Sequence, residues 1–165
     1  MAPGEVGEIV YRGPGMMLGY WNKPAETDEA FRGGWFHSGD LVRVDDEGYV
    51  YVVDRAKDMI ISGGENIYCA EVENALAAHP AIAEVSVVGE PHPSWGESPV
   101  AFVVLREGAE SLTIEGLRAW ASASLARYKL PTRLELVTSL PRNASGKVLK
   151  NRLRATGADR MPREA

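Results

Sequence analysis

Apolar residues fall into short alternating runs in the first third of the chain, then into a mixture of short runs and helical stripes. Residues 8–12 (Glu-Ile-Val-Tyr-Arg) predict a strand closed by Gly13-Pro14-Gly15. A helix is predicted over 24–31, with Pro24 near its start and Gly33-Gly34 after its end. Residues 35–37, 41–44 and 49–53 predict strands, the last two joined by the hairpin turn Asp45-Asp46-Glu47-Gly48. Further on, Met59-Ile60-Ile61 reads as a strand that stops at Ser62-Gly63-Gly64. Over 70–79, Val72, Ala75, Leu76 and Ala78 form a helical stripe that Pro80 stops. Two strands, 83–89 and 99–105, flank a polar loop at 90–97. A helix opening at Thr113 carries Ile114, Leu117, Trp120, Ala121 and Leu125, and 134–137 gives another strand. Residues 141–147 form a turn-rich loop, 148–154 a short basic helix, and 157–165 a tail expected to be flexible.

This pattern predicts an α+β protein. A small β-rich piece over 1–53 is joined by a linker at 54–58 to a compact domain over 59–156, with a three-stranded sheet flanked by helices. The first piece falls below the size at which an isolated core is comfortable. Hydrophobic residues make up 45% of the chain and charged residues 25%, which excludes a disordered polar chain. No run approaches the roughly 20 apolar residues of a membrane-spanning helix. Cys69 is the single cysteine, so neither an internal disulfide nor a cysteine-rich zinc site can form. Eighteen Lys and Arg stand against 23 Asp and Glu, a net charge of −5 that disfavours nucleic acid as a partner of the whole chain. With no basic-then-apolar leader, the expected location is cytoplasmic.

Several residues invite a chemical reading, each with a plainer one beside it. Gly13, Gly15 and Gly19 depart from the dinucleotide spacing, and the residues around Gly146-Lys147 fail the phosphate-loop pattern. Gly63-Gly64 suits a hairpin turn, or the close approach of a slender ligand. His37, His79 and His92 lack metal-ligand spacing, and no metal site is expected. Asp40 reads as a turn carboxylate and Lys147 as a solvated cation in an Asn-Ala-Ser-Gly loop. Trp95, in a polar Pro-rich segment, is the residue type that stacks on something.

Their order along the chain is more specific than any one of them. Residues 4–27 (GEVGEIVYRGPGMMLGYWNKPAET), Gly34-Trp35-Phe36-His37-Ser38-Gly39-Asp40-Leu41, Asp54-Arg55-Ala56-Lys57-Asp58, Ser62 to Ile67, Glu71-Val72-Glu73, Tyr128-Lys129-Leu130-Pro131 and Leu140 to Lys147 follow one another. Together they closely resemble the later core motifs of adenylate-forming enzymes, most of all the fatty-acyl-CoA and related acyl-CoA synthetases. The resemblance runs to about Arg154. It implies an enzyme that joins a carboxylic acid to AMP with ATP and passes the acyl group to CoA, with Mg2+ accompanying ATP and held mainly outside these residues. Asp40 and Arg55 would hold the ribose of ATP or AMP, and Lys147 would be the catalytic cation on the α-phosphate and carboxylate. Lys57 would be the hinge. Gly63 and Gly64 would line a tunnel for the pantetheine arm, Trp95 would stack on the CoA adenine, and the segment of Tyr128, Lys129 and Arg133 would meet CoA phosphates. Leu130 and Thr132 stand where some relatives carry basic residues.

The family's Ser/Thr/Gly-rich phosphate loop, adenine motif and acyl pocket have no counterpart in this sequence. The resemblance therefore implies the C-terminal third of such an enzyme, inactive alone, with the preceding domain as its partner. Severed from their sheet partners, residues 4–53 are expected to be disordered or to pair with another chain. A domain that loads a carrier protein, or a non-catalytic fragment binding CoA or a protein, are the alternatives.

Overall fold

The computed structural model describes residues 1–109 and 111–158, with side chains described to 155. It divides into two units, Met1–Lys57 and the residues from Asp58 on. Helix labels below cover the α-helices. In the first unit, β1 (Val6–Tyr11), β2 (Phe36–Val44) and β3 (Val50–Arg55) form an antiparallel sheet in that order, with helix α1 (Pro24–Ala30) between β1 and β2. The hairpin turn is built by Asp45, whose Oδ1 accepts the amides of Glu47 and Tyr49 while Gly48 takes φ +87°.

Patterning reads 35–37 and 41–44 as separate strands, whereas β2 is continuous. Gly39 sits in it at φ +72°. Side chains replace the ladder bonds lost there: Ser38 Oγ donates to the Ile9 carbonyl, and Glu8 Oε1 accepts the Gly39 amide. Register shifts on both sides of β2 mark the bulge.

The second unit holds β4 (Ile60–Ser62), β5 (Glu65–Ile67), α2 (Cys69–Ala77), β6 (Ile82–His92), β7 (Gly96–Leu105), α3 (Ile114–Ala121), β8 (Arg133–Leu136) and α4 (Lys150–Ala158). Its sheet has five strands rather than the expected three, in the order β5-β4-β7-β6, with β8 parallel to β7. The β4–β5 hairpin adds two short strands at the start of β7 through the pair Ser62 and Gly96. The loop expected at 90–97 is largely ladder: β6 and β7 pair from Ile82 with Leu105 to His92 with Gly96.

Both faces of this sheet are covered, which explains the near-continuous apolar run of β7. Val87, Ala101 and Val103 pack with Val72, Leu76, Leu117 and Ala121 from α2 and α3. On the opposite face, Val88, Val100 and Phe102 meet Leu140 and Leu153. Thr113 caps α3 through the Gly116 amide, and α4 begins two residues after the expected helix and continues to Ala158. Of the expected tail, residues 159–165 lie outside the described residues. Among those described, no helix is long and apolar enough to cross a membrane.

Candidate functional site

In the first unit Asp40 and Arg55 are register partners on β2 and β3, so their side chains meet across the ladder. Arg55 Nε donates to Asp40 Oδ1 at 2.7 Å, with both side chains partly exposed. Beside them lies a cleft of about 610 Å³ lined by Glu8, Tyr20, Glu29, His37, Arg55 and Lys57. Glu8 organises its wall. One carboxylate oxygen accepts from His37 Nδ1 at 2.7 Å and Arg32 Nη2 at 3.0 Å, the other from the Gly39 amide at 2.9 Å. The His37 hydrogen bond holds the Glu8 carboxyl below its ordinary range, against the opposing pull of burial.

In the second unit Gly63 (φ +59°) and Gly64 (φ +86°) form the two-residue turn between β4 and β5, the conformation that favours glycine at both positions. The Gly63 amide donates to the Trp95 carbonyl at 2.8 Å. Trp95 stands at the tip of the β6–β7 hairpin, stacked on His92 with ring centres 4.2 Å apart and planes 8° apart. With 49% of its surface exposed, the indole keeps an open face. A pocket of about 540 Å³ is lined by Gly63, Trp95, Arg118, Arg127, Tyr128 and Leu130, among others. Its walls are mostly apolar, with Arg118, whose Nη1 donates to the Pro131 carbonyl at 2.6 Å, and Arg127 among the lining residues.

The structure brings Gly63 and Trp95 to this pocket. Gly64 and Lys129 are not among its lining residues. Lys129 instead donates to both Glu71 oxygens, at 2.6 and 2.7 Å. Burial lowers its pKa, but the Glu71 hydrogen bonds and charge outweigh this and raise it above the ordinary lysine value. Arg133 pairs with buried Glu90 and with Glu135.

Lys147 lies on an exposed hairpin closed by a bridge between Arg142 and Val148. Asn143 donates its amide to the Lys147 carbonyl and accepts the Lys147 amide on Oδ1, both at 2.9 Å. Gly146 completes the turn at φ +83°. No acidic side chain among the described residues pairs with the Lys147 ammonium. The neighbouring cation, Arg142, is bonded to Glu84 and to the Gly146 carbonyl, each at 2.6 Å. The loop thus presents one ammonium group to solvent on a shaped backbone.

Comparison with known proteins shows what the chain is similar to. Residues 71–147 match the AMP-binding enzyme C-terminal domain. The chain is 53% identical over 154 residues to a feruloyl-CoA synthase of an Amycolatopsis species, covering 92% of this chain and 31% of that protein. It is 51% identical over 152 residues to a long-chain-fatty-acid–CoA ligase of Bacillus subtilis, covering 92% and 27%. Its fold matches the o-succinylbenzoate CoA synthetase from Bacillus subtilis in complex with the acyl-adenylate intermediate, at a TM-score of 0.84 and 44% identity over 93% of this chain and 31% of that one. Residues 71–147 thus carry the AMP-binding enzyme C-terminal domain, and the chain's homologues are CoA ligases matched over their C-terminal part. It spans less than a third of the length of these curated relatives.

Reading the sequence alone misses Glu8, Arg118, Arg127 and Asn143. Glu8 and Arg118 are placed by contacts distant along the chain, and Arg127 emerges only as part of the pocket lining. Asn143 carried a local signal, an Asn three residues before a Gly in a turn-rich loop, which marks a side chain that bonds its own backbone.

Proposed function

We propose that this chain is the C-terminal part of an AMP-forming ligase that activates a carboxylic acid with ATP and transfers the acyl group to CoA. The kinship with CoA ligases over nine-tenths of the chain carries this reading. In the first half-reaction a carboxylate oxygen attacks the α-phosphorus of ATP, and the bond to pyrophosphate breaks. Two anions must meet, and the Lys147 ammonium offsets their repulsion and the charge that builds on the phosphate. Lysine suits the task as a flexible point charge. Asp40 takes the ribose hydroxyls, because a carboxylate accepts two at once, and the Arg55 guanidinium fixes its orientation.

In the second half-reaction the CoA sulfur attacks the acyl carbon and AMP leaves. The slim Gly63 turn leaves room for the pantetheine arm, the open Trp95 face stacks on the adenine, and Lys57 is the hinge used between the two steps. Arg118 and Arg127 offer charge for CoA phosphates where Lys129 and Arg133 are held by Glu71 and Glu90. Mg2+ would accompany ATP, on residues outside this chain. The acid is fatty or aromatic, since similar chains occur in ligases named for both, and its pocket lies outside these residues.

Product analysis tests the reading. The full-length protein should convert a carboxylic acid, ATP and CoA to thioester, AMP and pyrophosphate, while the 165-residue chain alone gives none. Release of ADP, or thioester formation by the chain alone, would contradict it.

A further inference from the structure

Asn143 makes most of the side-chain hydrogen bonds inside the hairpin that carries Lys147. Asn143 Oδ1 accepts from the Ser145 amide at 3.1 Å, the Ser145 hydroxyl at 2.8 Å and the Lys147 amide at 2.9 Å. The Asn143 backbone closes the same ring, its amide donating to Lys147 and its carbonyl accepting the Gly146 amide at 3.0 Å. Asn143, Ser145, Gly146 and Lys147 are all exposed, so no core packing enforces this shape. Next to it, Arg142 bridges Glu84 on β6 to the Gly146 carbonyl and ties the hairpin to the sheet.

We infer that Asn143 is a positioning residue for the first half-reaction: its carboxamide oxygen fixes the backbone from which the Lys147 ammonium reaches the reacting anions. This rests on the role proposed above for Lys147. An exposed backbone left free must be ordered each time the lysine engages, at an entropic cost for each residue fixed. A hairpin already closed by Asn143 has met that cost before substrate arrives. The lysine stem stays flexible while its origin does not. Arg142 is paired with Glu84, and among the described residues no carboxylate pairs with Lys147.

The test uses the full-length ligase and reads the two half-reactions apart: ATP–pyrophosphate exchange for adenylation, and thioester formation from supplied acyl-adenylate. Asn143→Ala should slow exchange roughly tenfold while thioester formation changes by less than about twofold. Asn143→Ser, whose hydroxyl oxygen can accept in the same kind of turn without adding charge, should restore part of the exchange. A general folding defect would lower both half-reactions and would not be rescued by that choice of side chain. Wild-type exchange in Asn143→Ala, alongside lost exchange in Lys147→Ala, would overturn the inference alone. Unchanged exchange in Lys147→Ala would overturn the functional reading and the inference with it.

Discussion

Glu8 draws its three donors from positions 24 to 31 residues away, so its role is invisible in the sequence around it. Because its carboxyl titrates below the ordinary range in the folded chain, its stabilisation is complete above the unfolded value of about 4.3 and is lost as pH falls through the lowered folded value. Glu8→Gln should accelerate hydrogen exchange of the Gly39 amide at neutral pH roughly fivefold, about 1 kcal/mol for a part-exposed charged hydrogen bond. The difference from wild type should shrink in acid, where wild-type Glu8 is itself protonated. Equal exchange at neutral pH, or a gap undiminished in acid, would contradict this. Asp40 and Arg55 stand out in the sequence only through the resemblance, each toward a ribose, whereas their bond to each other is set by the β2–β3 ladder. The same holds for Lys129. It looks like a free cation in sequence, yet Glu71, 58 residues earlier, holds it.

At the level of elements, Glu73 of α2 joins three pieces. Its Oε1 accepts from the Val87 amide at 2.7 Å and the Ser86 hydroxyl at 3.3 Å on β6, and pairs with Lys150 of α4 at 2.9 Å. Val87 is buried on an edge strand, so removing the acceptor strands a backbone donor. Glu73→Ala should lower stability by roughly 2 kcal/mol in urea denaturation, and Glu73→Gln by less, since an acceptor remains. A loss below about 0.5 kcal/mol for the alanine variant would contradict the role. Most elements were readable from period and turn chemistry, because α2, α3 and the hairpin at 45–48 are set by residues within a turn of one another. What patterning missed was set from afar. Glu90 and Glu97 look like loop residues because they are charged, but Glu90 meets Arg133, and Glu97 Oε2 accepts the Ile61 amide at 3.1 Å. Such compensation lets β6 and β7 run on through polar residues to the tip that carries Trp95.

The molecule as a whole is built from two units with separate chemistry. The first holds a carboxylate paired with a guanidinium beside a cleft. The second holds an aromatic pocket and, on a hairpin of its own, an exposed ammonium group. The central claim is that this ammonium serves one half of a two-step reaction. Measuring both half-reactions in the Lys147→Ala variant of the full-length ligase tests it most directly. Pyrophosphate exchange should fall by roughly a hundredfold or more, the scale of removing one charge-stabilising group, while thioester formation from supplied acyl-adenylate is largely kept. Exchange near wild type, or equal loss of both half-reactions, would contradict the account.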